Sequence, residues 1–426
     1  MSDYKIETKC LHSGWVPKKG EPRMLPIIQS TTFKYDTTDE MGRLFDLKDD
    51  GYFYTRVQNP TNDMVAAKIA DLEGGVAALL TSSGQAANFY ATLNLCEAGD
   101  HLISTSTIYG GTFNLFAVTF KKLGIECTFV DPDASSEEIE KAFRPNTKLV
   151  FGETIANPAL TVLDIEKFAK LAHSHKVPLI VDNTFATPVN CQPFKWGADI
   201  VTHSTTKYMD GHAAQVGGAI VDSGNFDWES NAEKFSCLTT PDESYHGLIY
   251  TQAFGKKAYI TKATVTLMRD LGSIPSPMNA FILNLGLESM PLRVERHCYN
   301  AQKVAEFLNA HEKVSSVNYA GLPSDKYHER AKKYMPKGTC GVISFELKGG
   351  RESAVRFMDS LKLATIATHV ADAKTCVLHP ASHTHRQMND EQLKEAGVSP
   401  GMIRFSVGIE NIDDILSDLE QALKNA

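Results

Sequence analysis

The sequence predicts an α/β fold, with a mostly parallel seven-stranded sheet covered by helices and a smaller C-terminal α+β unit after it. Three observations predict this. From residue 76 to about 225, short apolar runs alternate with helical stretches. A long helical pattern then starts at Asn279 and continues through Leu283, Leu287 and Val304 to Leu308. Beyond it, strand-like and helix-like segments recur on a smaller scale. Alternation of this kind builds a parallel sheet buried on both faces.

The elements follow in order. Residues 1–60 hold few periodic runs and several turn formers, such as Gly20-Glu-Pro22 and Asn59-Pro60. They are expected to form an arm lying on another surface. A helix is expected to start near Thr61-Asn62-Asp63, whose short polar side chains suit an N-cap, and to stop at Gly74-Gly75. Strands are expected at 76–80, 101–104, 126–130, 148–151, 178–181, 199–202 and 217–221. Helices are expected between several of them, at 112–123, 136–143 and 163–173. Residues 225–280 carry no clear period. In the C-terminal unit, strands are expected at 341–347 and 402–407, and helices at 352–361 and 412–423. The implied division is an arm at 1–60, a large domain at 61–280 and a C-terminal α+β domain at 281–426.

Composition narrows the function. The chain has 426 residues, too many for one compact core. A net charge of −8 gives no basic surface for nucleic acid or an anionic membrane. No apolar run reaches the roughly 18 residues that span a bilayer, and the first residues lack the apolar core of a signal peptide. The eight cysteines are scattered singly, with no CxxC pair. That pattern reads as reduced cytoplasmic thiols and not as a disulfide framework or a zinc site.

Two residues at strand ends carry the strongest chemical signal. Asp182 closes the run Val177-Pro-Leu-Ile-Val-Asp182, and Lys207 follows Asp199-Ile-Val-Thr-His-Ser-Thr-Thr. Taken singly, a lysine is usually a solvated charge and a strand-closing aspartate a turn former. Together they fit pyridoxal phosphate, whose aldehyde is held on a lysine as a Schiff base and whose ring nitrogen is kept protonated by a carboxylate. Ligands of parallel sheets bind beyond the carboxyl ends of the strands, where both residues fall.

Further elements suit the same ligand. Thr81-Ser82-Ser83-Gly84-Gln85-Ala86 opens a helix directly after a strand, and a helix start offers free N–H groups to a phosphate. It lacks the Gly-Lys-Ser/Thr of a Walker A loop, and the chain has no GxGxxG. The hydroxyls of Ser204 and Thr206 can reach the same phosphate. Ser204-Thr-Thr-Lys207 also fits the SxxK of serine acylases, but the later Lys-Thr-Gly element is missing. Glu153 and Asn157 stand at or past a strand end, and Asn157 can bond a ring hydroxyl. Tyr109, in Thr107-Ile-Tyr-Gly-Gly111, can stack on a flat ring, although a tyrosine is more often packing. His379-Pro-Ala-Ser-His383-Thr-His385 matches no zinc spacing, so no metal is expected.

As a set, these motifs resemble a known family nearly end to end. They include Tyr54-Thr-Arg56 with Asn59-Pro-Thr-Asn62, Ser82-Ser-Gly84, Tyr109-Gly-Gly-Thr112 and Val181-Asp-Asn-Thr184. Ser204-Thr-Thr-Lys207-Tyr, Pro291-Leu-Arg-Val-Glu-Arg-His297 and Arg404-Phe-Ser-Val-Gly-Ile-Glu410 continue the match. The chain resembles the cysteine and methionine metabolism group of pyridoxal-phosphate enzymes: the cystathionine synthases and lyases, methionine γ-lyase and the O-acetylhomoserine sulfhydrylases. Its segment Pro241-Asp-Glu-Ser-Tyr-His-Gly247 is similar to the sulfhydrylases in particular.

The resemblance implies a fold of the aspartate-aminotransferase-like type I class. It implies that Lys207 carries the cofactor and shuttles protons, that Asp182 pairs with the ring nitrogen and that Tyr109 stacks over the ring. Ser83, Gly84, Gln85, Ser204 and Thr206 would hold the phosphate. Tyr54 and Arg56 would reach the phosphate of a neighbouring subunit, in a homotetramer built from dimers. Arg404 would clamp the substrate carboxylate, with Asn157 beside it. His369 departs from the serine or asparagine that many relatives carry at that substrate-binding position. The implied reaction converts O-acetyl-L-homoserine and sulfide, free or delivered by a carrier, to L-homocysteine and acetate. Rival readings are a γ-lyase or cystathionine γ-synthase of the same group, and a non-catalytic binder that keeps the fold.

Overall fold

The computed structural model describes residues 4–382 and 399–426. Seven strands form the large sheet: β1 (Ala77–Thr81), β2 (His101–Thr105), β3 (Glu126–Val130), β4 (Thr147–Glu153), β5 (Leu179–Asp182), β6 (Ile200–Ser204) and β7 (Gly218–Asp222). Their order is β1-β7-β6-β5-β4-β2-β3. Pairings among β2 to β6 are parallel, whereas β7 runs antiparallel to both β6 and β1. The sheet is therefore mostly parallel, as its apolar runs predict. Phe151, Ile180, Val201 and Ile220 are fully or almost fully buried in its core, and each such side chain contributes about 1.5–3 kcal/mol.

Register places the chemistry. Glu153 of β4 pairs with Asp182 of β5, and Asp182 pairs with Thr202 of β6. Three strand ends thus meet at one edge. A crossover from β5 to β6 leaves Lys207 one turn beyond the same edge.

A second sheet contains β8 (Val314–Asn318), β9 (Val342–Leu347), β10 (Thr365–Ile366), β11 (Cys376–Leu378) and β12 (Met402–Ser406), in the order β10-β11-β12-β9-β8. Its separate core includes Leu308, Ile343, Phe345, Phe405 and Leu419. The helix Pro277–Ala310, capped by the Ser276 side chain on Asn279 N, runs from the large sheet's layer to the smaller core. Sequence periodicity predicts this helix and strands β9 and β12. It misses β8, β10 and β11, which are short and lack a strong apolar alternation.

The N-terminal sixty residues are less irregular than expected. Helix α1 (Ile6–His12) is held by Cys10, which is fully buried, and by Lys9 and Ser13 on Asp71. Helix α2 (Thr38–Phe45) begins with a capping box in which Thr37 and Glu40 satisfy each other's backbone N–H. Helix α3 (Pro60–Glu73) is capped by Asn59, two residues before the expected start, with Pro60 at its first position. It ends at Gly74, whose φ of 82° is left-handed. Residues 225–280 resolve into short helices around Trp228, which stacks on Tyr259 at 5.8 Å.

Candidate active site

Lys207 lies in the turn after β6. Its Nζ sits 3.4 Å from His369 Nδ1. Burial, reinforced by the Arg404 guanidinium, lowers its pKa from 10.5 to about 8. Desolvation disfavours the ammonium, so a free amine is available near neutral pH. The backbone beyond Lys207 is pinned from the helix Pro277–Ala310. Arg293, 4 % exposed, donates from Nη1 to Tyr208 O at 2.8 Å. Gly211 lets it approach, because a Cβ there would lie 1.9 Å from Arg293 Nη1.

Asp182 closes β5 with both oxygens occupied by donors. Oδ1 accepts from Thr184 N at 3.0 Å and Thr184 Oγ1 at 2.5 Å, and Oδ2 accepts from Asn88 Nδ2 at 3.1 Å. On the neighbouring strand, burial and the charge of Asp182 push the Glu153 carboxyl well above its usual range. Glu153 Oε1 accepts from Tyr109 N at 2.7 Å, so the buried side chain ties the Tyr109 turn to β4. The Tyr109 ring is half exposed, not packed in the core.

Ser83 caps helix α4 (Gly84–Leu93), its side chain accepting from Ala86 N. A Cβ on Gly84 would lie 2.5 Å from Ser204 Cβ, and one on Gly218 would lie 2.2 Å from Ser83 O. Glycine at both positions lets the α4 N-terminus sit directly on the end of β6 and the start of β7. Gln85 Nε2 donates to Gly111 O at 3.1 Å, joining this corner to the Tyr109 turn. The Thr206 hydroxyl bonds Gly217 O at 3.2 Å and accepts from Gly217 N at 3.0 Å.

The second sheet supplies the facing wall. Arg404 of β12 is 7 % exposed, and burial lowers its pKa to about 10. Its Nη1 donates to Asn157 Oδ1 at 3.2 Å and its Nη2 to His369 O at 3.1 Å. Cys376 Sγ also donates to His369 O, at 3.2 Å. Burial, then the Lys207 charge, lowers the His369 pKa.

The structure thus joins Lys207, His369, Arg404 and Asn157 through direct bonds, and places Asp182, Glu153 and Tyr109 together beside them. Tyr54 and Arg56 stand apart. Arg56 stacks over the Tyr54 ring at 5.3 Å and its Cδ faces Gly272. Both line a cavity of about 1340 Å³ that does not include Lys207. His383 and His385 lie outside the described residues. His379 bonds Ser382 Oγ at 2.7 Å and Pro400 O at 2.9 Å. Asn88 and Cys376 were given no role from the sequence, and Thr184 and Arg293 stood there only within the motifs Val181-Asp-Asn-Thr184 and Pro291-Leu-Arg-Val-Glu-Arg-His297. Of these, only Thr184, two residues past Asp182, carried a local signal.

The residues present fit pyridoxal phosphate. A carboxylate has about four acceptor directions. Protein donors fill three on Asp182, which leaves one for a ring N–H. The Gly84 and Gly218 approaches form a cradle at a helix N-terminus, where an anion is favoured. Lys207 offers the amine.

Fold and site together define a pyridoxal-phosphate enzyme. Residues 7–424 match the model of the Cys/Met metabolism PLP-dependent enzymes, and the chain belongs to that family. Its cofactor is pyridoxal phosphate. It is 47% identical to the O-acetyl-L-homoserine sulfhydrylase of Leptospira meyeri, over 99% of this chain and 97% of that protein. It is 46% identical to the homocysteine/cysteine synthase of Saccharomyces cerevisiae, over 94% of this chain and 93% of that one. A crystal structure from Campylobacter jejuni, assigned as an O-acetylhomoserine (thiol)-lyase and carrying N'-pyridoxyl-lysine-5'-monophosphate, superposes with a TM-score of 0.95 at 39% identity. It covers 99% of this chain and 100% of that one.

Proposed function

We propose that the protein catalyses γ-replacement, converting O-acetyl-L-homoserine and sulfide to L-homocysteine and acetate. The observation that carries this reading is the bonded set Lys207–His369–Arg404–Asn157, an amine base next to a carboxylate clamp at the edge where Asp182 ends β5. The names of relatives at 44–47% identity support the choice of substrates.

Bound here, the cofactor supplies an aldehyde that condenses with amines and a ring that withdraws electrons from the substrate's Cα. The residues do the rest. Asp182 holds the proton on the ring nitrogen. Ser83, Gly84, Gln85, Ser204 and Thr206 hold the phosphate, with the Thr206 hydroxyl turning from Gly217 to do so. Tyr109 covers the ring. Arg404 grips the substrate carboxylate as a two-pronged fork, flanked by Asn157 and His369. Lys207, as a free amine, would take the Cα proton and then serve again as the base for a Cβ proton. The Cγ–O bond breaks with its electron pair on acetate, hydrosulfide forms the new C–S bond at Cγ, and protons return to Cβ and then to Cα, giving homocysteine. Burial of Lys207 makes it a base at working pH.

The place of Tyr54 and Arg56 in a cavity that Lys207 does not line supports a shared-site assembly. We assign the arm at 1–60 to a neighbouring subunit's phosphate, within a homotetramer of dimers, next to the large domain at 61–280 and the C-terminal domain at 281–426. Eight free cysteines favour the reducing cytoplasm. No helix among the described residues is long and apolar enough to cross a membrane. Supplying purified enzyme with O-acetylhomoserine plus sulfide, and separately with methionine alone, tests the reading. Homocysteine from the first supports it. Methanethiol and an α-keto acid from the second, with no homocysteine from the first, make it a lyase.

A further inference from the structure

Each segment that brings a predicted catalytic residue to the site is tied to one side chain, Asn88. It lies on α4, four residues after Gly84, and is 3 % exposed. Nδ2 has two hydrogens. One goes to Asp182 Oδ2 at 3.1 Å, at the end of β5. The other goes to Thr112 Oγ1 at 3.2 Å, in the turn that follows Tyr109. Oδ1 accepts from Thr202 Oγ1 at 2.6 Å, on the strand that leads to Lys207. The Asn88 backbone carbonyl accepts from Thr92 Oγ1 at 2.9 Å and is not part of this fan.

We propose that Asn88 is a positioning residue that fixes the Asp182 carboxylate against the cofactor ring nitrogen and keeps it in register with the helix end that takes the phosphate.

The physical argument is one of orientation. Thr184 fills Oδ1 from within the same turn, and this alone leaves the carboxylate plane free to rotate about its last bond. A second donor on Oδ2, coming from a different helix, fixes that plane. The Asn88 amide is itself fixed. Turned by half a revolution, it would set its carbonyl oxygen against the carboxylate and its NH2 against the Thr202 hydroxyl. The Thr202 donor and the Asp182 acceptor therefore select one orientation together. Because α4 carries both the phosphate cradle at its N-terminus and Asn88 one turn later, the two ends of the cofactor are gauged from one rigid helix. A neutral amide suits the place. A carboxylate there would face Asp182 with like charge, and an aliphatic group would leave Oδ2 a donor short.

The inference rests on the assignment of Asp182 to the ring nitrogen, so Asp182→Asn is measured alongside. In the holoenzyme the readouts are the pH midpoint of the bound cofactor's visible absorption band and the cofactor dissociation constant. Neither involves O-acetylhomoserine or sulfide. Asn88→Leu keeps the volume without the amide, and Thr202→Val removes only the bond that orients it. Thr92→Val serves as the control on the same helix. The expected result is a midpoint moved by about one pH unit in Asn88→Leu, in the direction seen for Asp182→Asn. Thr202→Val moves the same way by less, and Thr92→Val leaves the midpoint in place. Cofactor affinity falls about tenfold in Asn88→Leu, the scale of one hydrogen bond to a charged group. Should Asn88→Leu not fold, Thr202→Val alone decides. If Asp182→Asn moves the midpoint and neither Asn88→Leu nor Thr202→Val does, the role of Asn88 is overturned while the assignment of Asp182 stands. If Asp182→Asn leaves the midpoint where it was, both fall.

Discussion

Lys207 Nζ and His369 Nδ1 lie 3.4 Å apart, although 162 positions separate them in the chain. The first belongs to the large sheet's edge and the second to the loop between β10 and β11 of the smaller sheet. The Lys207 amine is thus shaped by both units. Burial and the Arg404 charge set its pKa near 8, and His369 offers its proton an acceptor.

That contact predicts a pH shift. The base is the neutral amine, so kcat rises as pH climbs through about 8. An acceptor stabilises the ammonium form, and its removal in a dry pocket eases deprotonation. His369→Leu therefore moves the acid limb to lower pH, by about one unit if the bond to a charged donor is lost. A pH–rate profile of the variant reads this, and an unmoved limb removes His369 from the control of Lys207.

Arg404→Lys separates binding from chemistry. A lysine cannot form the fork, and KM for O-acetylhomoserine rises about tenfold or more, the scale of one charged hydrogen bond. The spectrum of the bound cofactor stays as in wild type. Steady-state kinetics check the first and absorbance the second; an unchanged KM places the carboxylate elsewhere.

Most of the large sheet and its edge could be read from the sequence because the signal there is local. Apolar runs end on Asp182 and precede Lys207, and Ser83-Gly84 follows a strand as a helix cap should. The network behind these residues could not be read in the same way. Asn88 bonds residues 24, 94 and 114 positions away, and nothing local distinguishes it from any helix asparagine. Arg293 stands in the sequence only as part of the motif Pro291-Leu-Arg-Val-Glu-Arg-His297, yet it is buried because Gly211 leaves room for its guanidinium, which also donates to Gly286 O. Helix α1 escaped detection since tertiary packing around Cys10, not propensity, holds its seven residues.

The Gly84 approach makes a steric prediction. In Gly84→Ala the new Cβ meets Ser204 Cβ at 2.5 Å and Cα at 2.7 Å, and one of the two chains must move. Overpacking of this kind costs about 1–3 kcal/mol. It falls on the phosphate cradle, so cofactor affinity drops more than melting temperature does. Equilibrium dialysis measures it, and wild-type affinity rejects the cradle.

Asp222 predicts a stability effect away from the site. Burial raises its pKa from 3.8 to about 7. The folded state then binds a proton that the unfolded state has already released. Stability from this group is complete below about pH 4 and falls as pH rises toward 7. Asp222→Asn, which retains the acceptor for Gly224 N, raises the melting temperature at pH 8 and changes it little at pH 4. Equal shifts at both pH values contradict the linkage.

The assignment of Arg56 to a neighbouring subunit predicts complementation. Arg56→Ala and Lys207→Ala are each inactive or nearly so, yet mixed assemblies of the two regain part of the activity, because one site per pair keeps both residues. Co-refolded or co-expressed mixtures test this, and a mixture no better than its parents confines Arg56 to its own chain.

The central claim is that Lys207 carries the cofactor. Borohydride reduction of the yellow holoenzyme, followed by proteolysis and mass spectrometry, tests it most directly. The account predicts a pyridoxyl phosphate adduct on the peptide containing Lys207 and none in Lys207→Ala, which keeps its fold and loses turnover. An adduct on another lysine, or an unmodified Lys207 in reduced and inactivated enzyme, contradicts it.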